Sequence, residues 1–340
     1  LAGHRLWSVD SANNRLLTLN EAAYCIWQSW AQGLDATAIS RQLAARYGLS
    51  ADDLLGDVQQ TLAQWQTPDH QEPATADWRY PTLTKLERVP DTSTVVASSE
   101  LRVQAAELRL HYGSDEIAQA IAPLFNHLST PVSAPTDYHL ETLDGSYRLR
   151  QGLRVIYQGP SLDITAVCLL NEVTLAGYRD LDPLCALHAA GVGQKGQCVL
   201  LPGIAGAGKS TLTAALLHSG LTYLSDDTVP ITQDRRALAL RPPLCVKAGS
   251  VPVLASRYPA LVAARVYQRA DQPVRYLPPA TPAGADHFQV SALVFPHYQP
   301  GSDTRLTEIP ADTAFNGLLK AGIFAHCPQN PDRLGELVDW

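Results

Sequence analysis

Eight residues constrain this chain more than any others: Gly203-Ile204-Ala205-Gly206-Ala207-Gly208-Lys209-Ser210, the pattern G-x-x-x-x-G-K-[ST]. The flanks agree with it. Gln197–Leu201 reads as a short apolar strand, Thr211–His218 as a helix opening from the loop, Ser219-Gly220 as its end and Leu221–Leu224 as the next strand. Strand, glycine-rich loop, helix and strand form the unit that wraps a polyphosphate. Glycines let the backbone curl until several N–H groups face one anion, and the helix N-terminus adds its positive end. The phosphate-binding candidates are Gly203, Gly206, Ala207, Gly208, Lys209, Ser210 and Thr211. Lys209 is expected to reach the β- and γ-phosphates of ATP, and the Ser210 hydroxyl to ligate Mg²⁺.

The following strand runs into Ser225-Asp226-Asp227. Two carboxylates at a strand end beside such a loop stand where α/β ligand sites form. One can hold Mg²⁺ and the other can accept a proton from an attacking hydroxyl, although Asp-Asp-Thr also suits a plain turn. His188 precedes the loop strand; taken alone, such a histidine is more often a core or hydrogen-bonded residue than a catalyst.

Composition narrows the class. With 26 Lys+Arg against 33 Asp+Glu, the net charge of −7 argues against a nucleic-acid partner. An apolar share of 46% supports a core, and no apolar run approaches the roughly 20 residues of a membrane span. Leu1–Asp10 has no apolar h-region, so no signal peptide is expected. The six cysteines include no C-x-x-C pair, which predicts buried thiols in a reducing, cytoplasmic setting. At 340 residues, about two domains are expected.

The N-terminal stretch reads as a small winged-helix-like α+β unit. Strands Arg5–Val9 and Arg15–Leu19 flank a turn. A helix capped by Asn20 carries Ala23, Ile26, Trp27 and Trp30. A second, after Asp35, carries Ile39, Leu43 and Tyr47 and stops at Gly48; a third, from Ser50, carries Leu54, Val58, Leu62 and Trp65. Its acidic residues, Asp35, Asp52, Asp53 and Asp57, disfavour DNA. Residues 67–82 read as a Pro-rich linker. Residues 83–180 alternate strand-like pieces (Leu108–Tyr112, Tyr147–Gln151, Leu153–Tyr157, Leu162–Leu169) with a helix near Glu116–Leu128, and show no catalytic pattern.

Two resemblances follow. Leu19-Asn20-Glu21, Ile26-Trp27, Gly33, Tyr47-Gly48 and Asp57-Val58 together resemble a PqqD-type domain over residues 1–66. That family is the peptide-recognition element of ribosomal-peptide maturation systems, so the resemblance implies a leader peptide added as a strand to the sheet edge. The span "LHAAGVGQKGQCVLLPGIAGAGKSTLTAALLHSGLTYLSDDTVPI", followed by "LRPPLCVKAGSV" and "VRYLPPA", resembles the HPr kinase/phosphorylase family and its offshoots, with their phosphoenolpyruvate-carboxykinase-like core. This implies an α/β (α+β) P-loop kinase, residues 83–180 forming its N-terminal lobe and 181–340 its catalytic core. By position, Asp227 would be the base, Asp226 (with Ser210) and His188 would organise metal and phosphoryl group, and Lys247, Arg241 or Arg275, left unranked, would neutralise phosphate charge. The family's R-G-x-G-I segment is absent from the sequence, so neither phosphorylase activity nor the HPr protein as acceptor is implied. The family also implies a homo-oligomer.

The fusion predicts an ATP-dependent kinase acting on a Ser/Thr hydroxyl of a ribosomally made precursor peptide, held through its leader. A nucleotide-gated peptide chaperone and a small-molecule kinase are the alternatives. The intact Lys209-Ser210 and Asp226-Asp227 set favours the kinase over the chaperone, and the Leu19-Asn20-Glu21 strand pattern favours a peptide over a small molecule.

Overall fold

The computed structural model describes residues 6–10, 15–19, 25–26, 28–30, 32–66, 94–269, 271–280 and 286–324. These fall into two compact units, residues 6–66 and 94–324. The molecule is mixed α/β with several sheets and a small N-terminal unit.

In the N-terminal unit, β1 (Leu6–Asp10) pairs antiparallel with β2 (Arg15–Leu19), Leu6 opposite Leu19. Residues 25–26 and 28–30 are helical. Helix α1 (Ala36–Tyr47) starts where the Asp35 carboxylate accepts from the Ala38 N–H at 2.8 Å and stops at Gly48, whose φ of 70° is left-handed. Helix α2 (Ala51–Gln66) places Asp52 and Asp53 at its positive end. Ile26, Ile39, Leu43, Val58 and Leu62 form the core, with Trp30 and Leu54 packed against it. Tyr47 departs from the expected stripe and is 40% exposed. Eight residues turn a helix about 80° past two full turns, which carries Tyr47 off the buried face. Asn20, Ala23, Trp27, the Trp65 side chain and linker 67–82 lie outside the described residues.

The second unit opens with a five-stranded sheet in spatial order β3 (Ala97–Val103), β4 (Ala106–Tyr112), β5 (Thr136–Leu143), β6 (Ser146–Gln151) and β7 (Arg154–Gly159). Only β4 and β5 are parallel, and α3 (Asp115–Phe125) makes their crossover. The stretch expected as a strand at Leu162–Leu169 is instead the first half of helix α4 (Leu162–Ala176). Ser161 caps this helix, its Oγ accepting from the Ile164 N–H at 3.2 Å. Buried residues from Leu162 to Ala176 surround it on nearly every side, so the sequence carries no one-sided stripe. A short apolar run with β-branched members reads equally well as a buried strand.

One carboxylate fastens the loop before β5. Glu107 accepts from the Ser133 and Ala134 N–H groups at 2.9 and 3.0 Å and from Arg102 at 2.6 Å. The N–H bonds of Ala134 and Ser133 lower its pKa from 4.5 to about 2. A depressed carboxylate contributes stability above its ordinary pKa and loses it as pH falls through the folded one. The melting-temperature difference between wild type and Glu107→Gln is therefore expected to shrink between pH 4.5 and about 2. A difference that stays flat across that window would remove this anchor.

The remaining strands and longer helices are β8 (Cys185–Leu187), β9 (Ala189–Gln194), β10 (Gln197–Pro202), α5 (Lys209–His218), β11 (Thr222–Ser225), β12 (Val229–Ile231), β13 (Arg236–Leu238), β14 (Leu244–Lys247), β15 (Tyr267–Gln268), β16 (Pro273–Leu277), β17 (His287–Leu293), α6 (Ala311–Ala321) and β18 (Ile323–Phe324), with two short helices, Val251–Leu254 and Pro259–Ala263, between β14 and β15. They form an eight-stranded sheet, β11-β9-β10-β17-β13-β12-β8-β18, and a three-stranded one, β14-β16-β15. One core joins five-stranded-sheet residues such as Leu110 and Leu140 to Ala186, Leu238, Val274 and Tyr276, so it crosses the 180/181 division expected from the sequence. Cys168, Cys185 and Cys198 are free, and burial pushes each thiol up to about 12, which keeps them inert. No helix among the described residues is long and apolar enough to cross a membrane.

Candidate functional site

Three strands deliver the site to one sheet edge. β9 runs antiparallel to both β10 and β11, with Ala189 opposite Pro202 and Gly191 opposite Ser225. The start of β9 therefore lies beside the ends of the other two. His188 precedes β9, the loop follows β10, and Asp226-Asp227 follow β11. Register thus brings together residues far apart in the chain.

The loop has the backbone an anion cradle requires. Gly206 and Gly208 take φ of 86° and 96°, values that disfavour side chains, and Gly208 caps α5. Gly203 lends its carbonyl to Lys209 Nζ, and the Ala207 N–H closes the loop on the Ile204 carbonyl at 3.2 Å. Gly206, Gly208, Lys209, Ser210 and Thr211 all line one cleft. Thr211 also hydrogen-bonds Ser250 at 2.7 Å. Lys209 is 8% exposed. Burial lowers its pKa, with Lys247 adding to the effect and Asp227 and Asp226 opposing it.

The two carboxylates are held differently. Asp226 is 5% exposed, and its Oδ2 accepts from Ser210 Oγ at 3.2 Å and from the Cys245 N–H at 3.0 Å. Its Oδ1 is buried and has no hydrogen-bond partner. Burial, then the charge of Asp227, raises its pKa to about 6. Asp227 opens into the cleft, its side chain 79% exposed and Oδ1 3.0 Å from His188 Nε2. The surrounding protein works against its ionisation, but the hydrogen bond and charge of His188, with Lys209 and Arg269, outweigh that and hold its pKa below the usual range. His188 Nδ1 donates to the Ala321 carbonyl at 2.8 Å. A carbonyl only accepts, so Nδ1 carries a proton and Nε2 turns to Asp227.

The donor set fits Mg²⁺. Asp226 meets the Ser210 hydroxyl through Oδ2 and leaves Oδ1 without a hydrogen-bond partner, and a hard cation that keeps most of its water needs few protein oxygens. Among the described residues no group of three or more His, Cys, Asp or Glu side chains could hold a metal ion.

Of the three phosphate-charge candidates, only Lys247 lines the cleft. The guanidinium of Arg241 is engaged by Asp286 at 2.7 Å, and its φ of 55° directs the chain into the cleft-lining Pro242 and Pro243. Arg275 donates to the Ala264 carbonyl at 3.2 Å and does not line the cleft, whereas its β16 neighbour Tyr276 does. The sequence reading overlooked Arg269, which lines the cleft and bonds Asp271 at 3.2 Å. Nothing local marks it in the sequence, because the β15–β16 turn alone brings it there. It likewise missed the α4 residues Val167, Leu170 and Asn171, which line the cleft from a helix mistaken for a strand.

With Lys209, Lys247 and Arg269 against Asp226 and Asp227, the cleft suits a polyanion. No curated protein matches the chain. Its residues 8–68, which take in most of the N-terminal unit, match the family described as Coenzyme PQQ synthesis protein D (PqqD), which supports a peptide-recognition role in the modification of ribosomally made peptides.

Proposed function

We propose that residues 94–324 are an ATP-dependent, HPr-kinase-like phosphotransferase and that the N-terminal unit delivers its acceptor, a Ser/Thr hydroxyl of a ribosomally made precursor peptide. The observation that carries this reading is one cleft holding a phosphate loop, the Ser210–Asp226 contact and the Asp227–His188 pair. Asp227 takes the hydroxyl proton as the acceptor oxygen bonds to the γ-phosphorus and the bond to ADP breaks. His188, fixed by Ala321, orients Asp227. Lys209, Lys247 and Arg269 counter the negative charge on the phosphates. Ser210 and Asp226 would hold Mg²⁺, which would supply charge neutralisation on the triphosphate.

The peptide is held elsewhere, through its leader, along an edge of the β1–β2 sheet. Tethering raises the acceptor to an effective concentration of about mM, so the cleft need bind it only weakly. The test is transfer of labelled γ-phosphate to peptides with and without a leader. Deleting residues 1–66 is expected to spare ATP binding while turnover of leader-bearing peptide at ~10 µM falls about 100-fold. Equal turnover of leader-bearing and leaderless peptides would exclude the recognition role, and no transfer to any peptide would exclude this acceptor.

A further inference from the structure

The two flanks of the phosphate loop differ. On one side, beyond β9, stand Asp226 and Asp227. On the other lies β17, parallel to β10, so the chain leaving β17 emerges at the same edge as the loop. The Val294 N–H donates to the Leu200 carbonyl at 2.9 Å and extends that ladder by one residue. Phe295 then packs against Gly317 of α6 so closely that a Cβ there would sit 2.5 Å from its ring. Pro296 follows and restricts the turn. These restraints bring Tyr298 to the loop: its Cβ lies 3.5 Å from where a Cβ on Gly208 would be.

Tyr298 is 71% exposed although it stands against the start of α5. It follows β17, which lies across β10 from β9 and β11, so it reaches the loop from the flank away from the carboxylates. A triphosphate whose γ-end faces Asp227 and the orphaned Oδ1 of Asp226 must let its nucleoside leave on the other side. An exposed aromatic ring there is a stacking surface for a base, and stacking tolerates any base because each has a π-face.

We infer that Tyr298 forms the nucleobase subsite of the phosphate loop, stacking the base of a nucleoside triphosphate. This rests on the reading of the loop as a nucleotide site. The experiment compares binding of Mg-ATP and of Mg-tripolyphosphate, which has the phosphates without the base, to the full chain. Tyr298→Ala is expected to weaken ATP about 10-fold and leave tripolyphosphate within about twofold, while Tyr298→Phe binds ATP like wild type. Unchanged ATP binding in Tyr298→Ala, or an equal loss of both ligands, overturns the subsite. Lys209→Ala is the separate control. If it leaves both ligands unaffected, the nucleotide reading itself fails, whatever Tyr298 does.

Discussion

Lys209→Ala is expected to reduce phosphoryl transfer by about 10³-fold or more and to weaken ATP binding with it. Lys209 is the ammonium buried within the loop, already partly stripped of water and within the electrostatic influence of Asp227 and Asp226. Removing it leaves the loop amides alone to meet the β- and γ-phosphates. Arginine cannot substitute, because a flat fork does not fit where a compact charge sits against the Gly203 carbonyl. Isothermal titration and single-turnover transfer check the two effects. ATP affinity equal to wild type in Lys209→Ala would contradict the phosphate-loop assignment.

The carboxylates are expected to separate under equally small changes. Asp227→Asn keeps the volume but removes the charge facing His188 Nε2, so kcat should fall about 10²–10⁴-fold while ATP still binds. Asp226→Asn should instead raise the Mg²⁺ requirement, because the carboxylate joined to Ser210 has become neutral. Mg²⁺-titrated single-turnover phosphorylation distinguishes them. Should high Mg²⁺ restore the full rate in both, neither is the base, and His188 takes that role.

Much of the geometry of the candidate site is legible from the sequence because the G-x-x-x-x-G-K-S loop is a local device. Its residues are contiguous, its glycines mark backbone values that no other residue takes cheaply, and its strand and helix flank it directly. The same holds for Asp35 and Gly48, which bound α1 by local capping chemistry. What the sequence conceals is set by distance or by burial. Arg269 enters the cleft through a turn between two short strands, and Arg241 and Arg275 leave it for Asp286 and a backbone carbonyl that no spacing predicts. Helix α4 hides for the opposite reason: it is covered on so many sides that its periodicity vanishes. His188 lies between these cases. Alone it is ambiguous, and only the antiparallel register of β9 places it against Asp227.

That register gives leverage to a place remote from the chemistry. β9 and β10 are joined by Lys195-Gly196, both left-handed at φ of 52° and 79°, the geometry of a tight two-residue hairpin turn. It lies a full strand length away, roughly 20 Å. Yet, together with the buried faces of the two strands, it sets which residue of β9 faces which residue of β10. A lesion in the core loosens packing while leaving His188 aligned with the loop, so it erodes stability before it erodes rate. A slip of one residue at the turn does the reverse. It carries His188 to the opposite face of the sheet and parts it from Asp227, in a molecule whose core is otherwise intact.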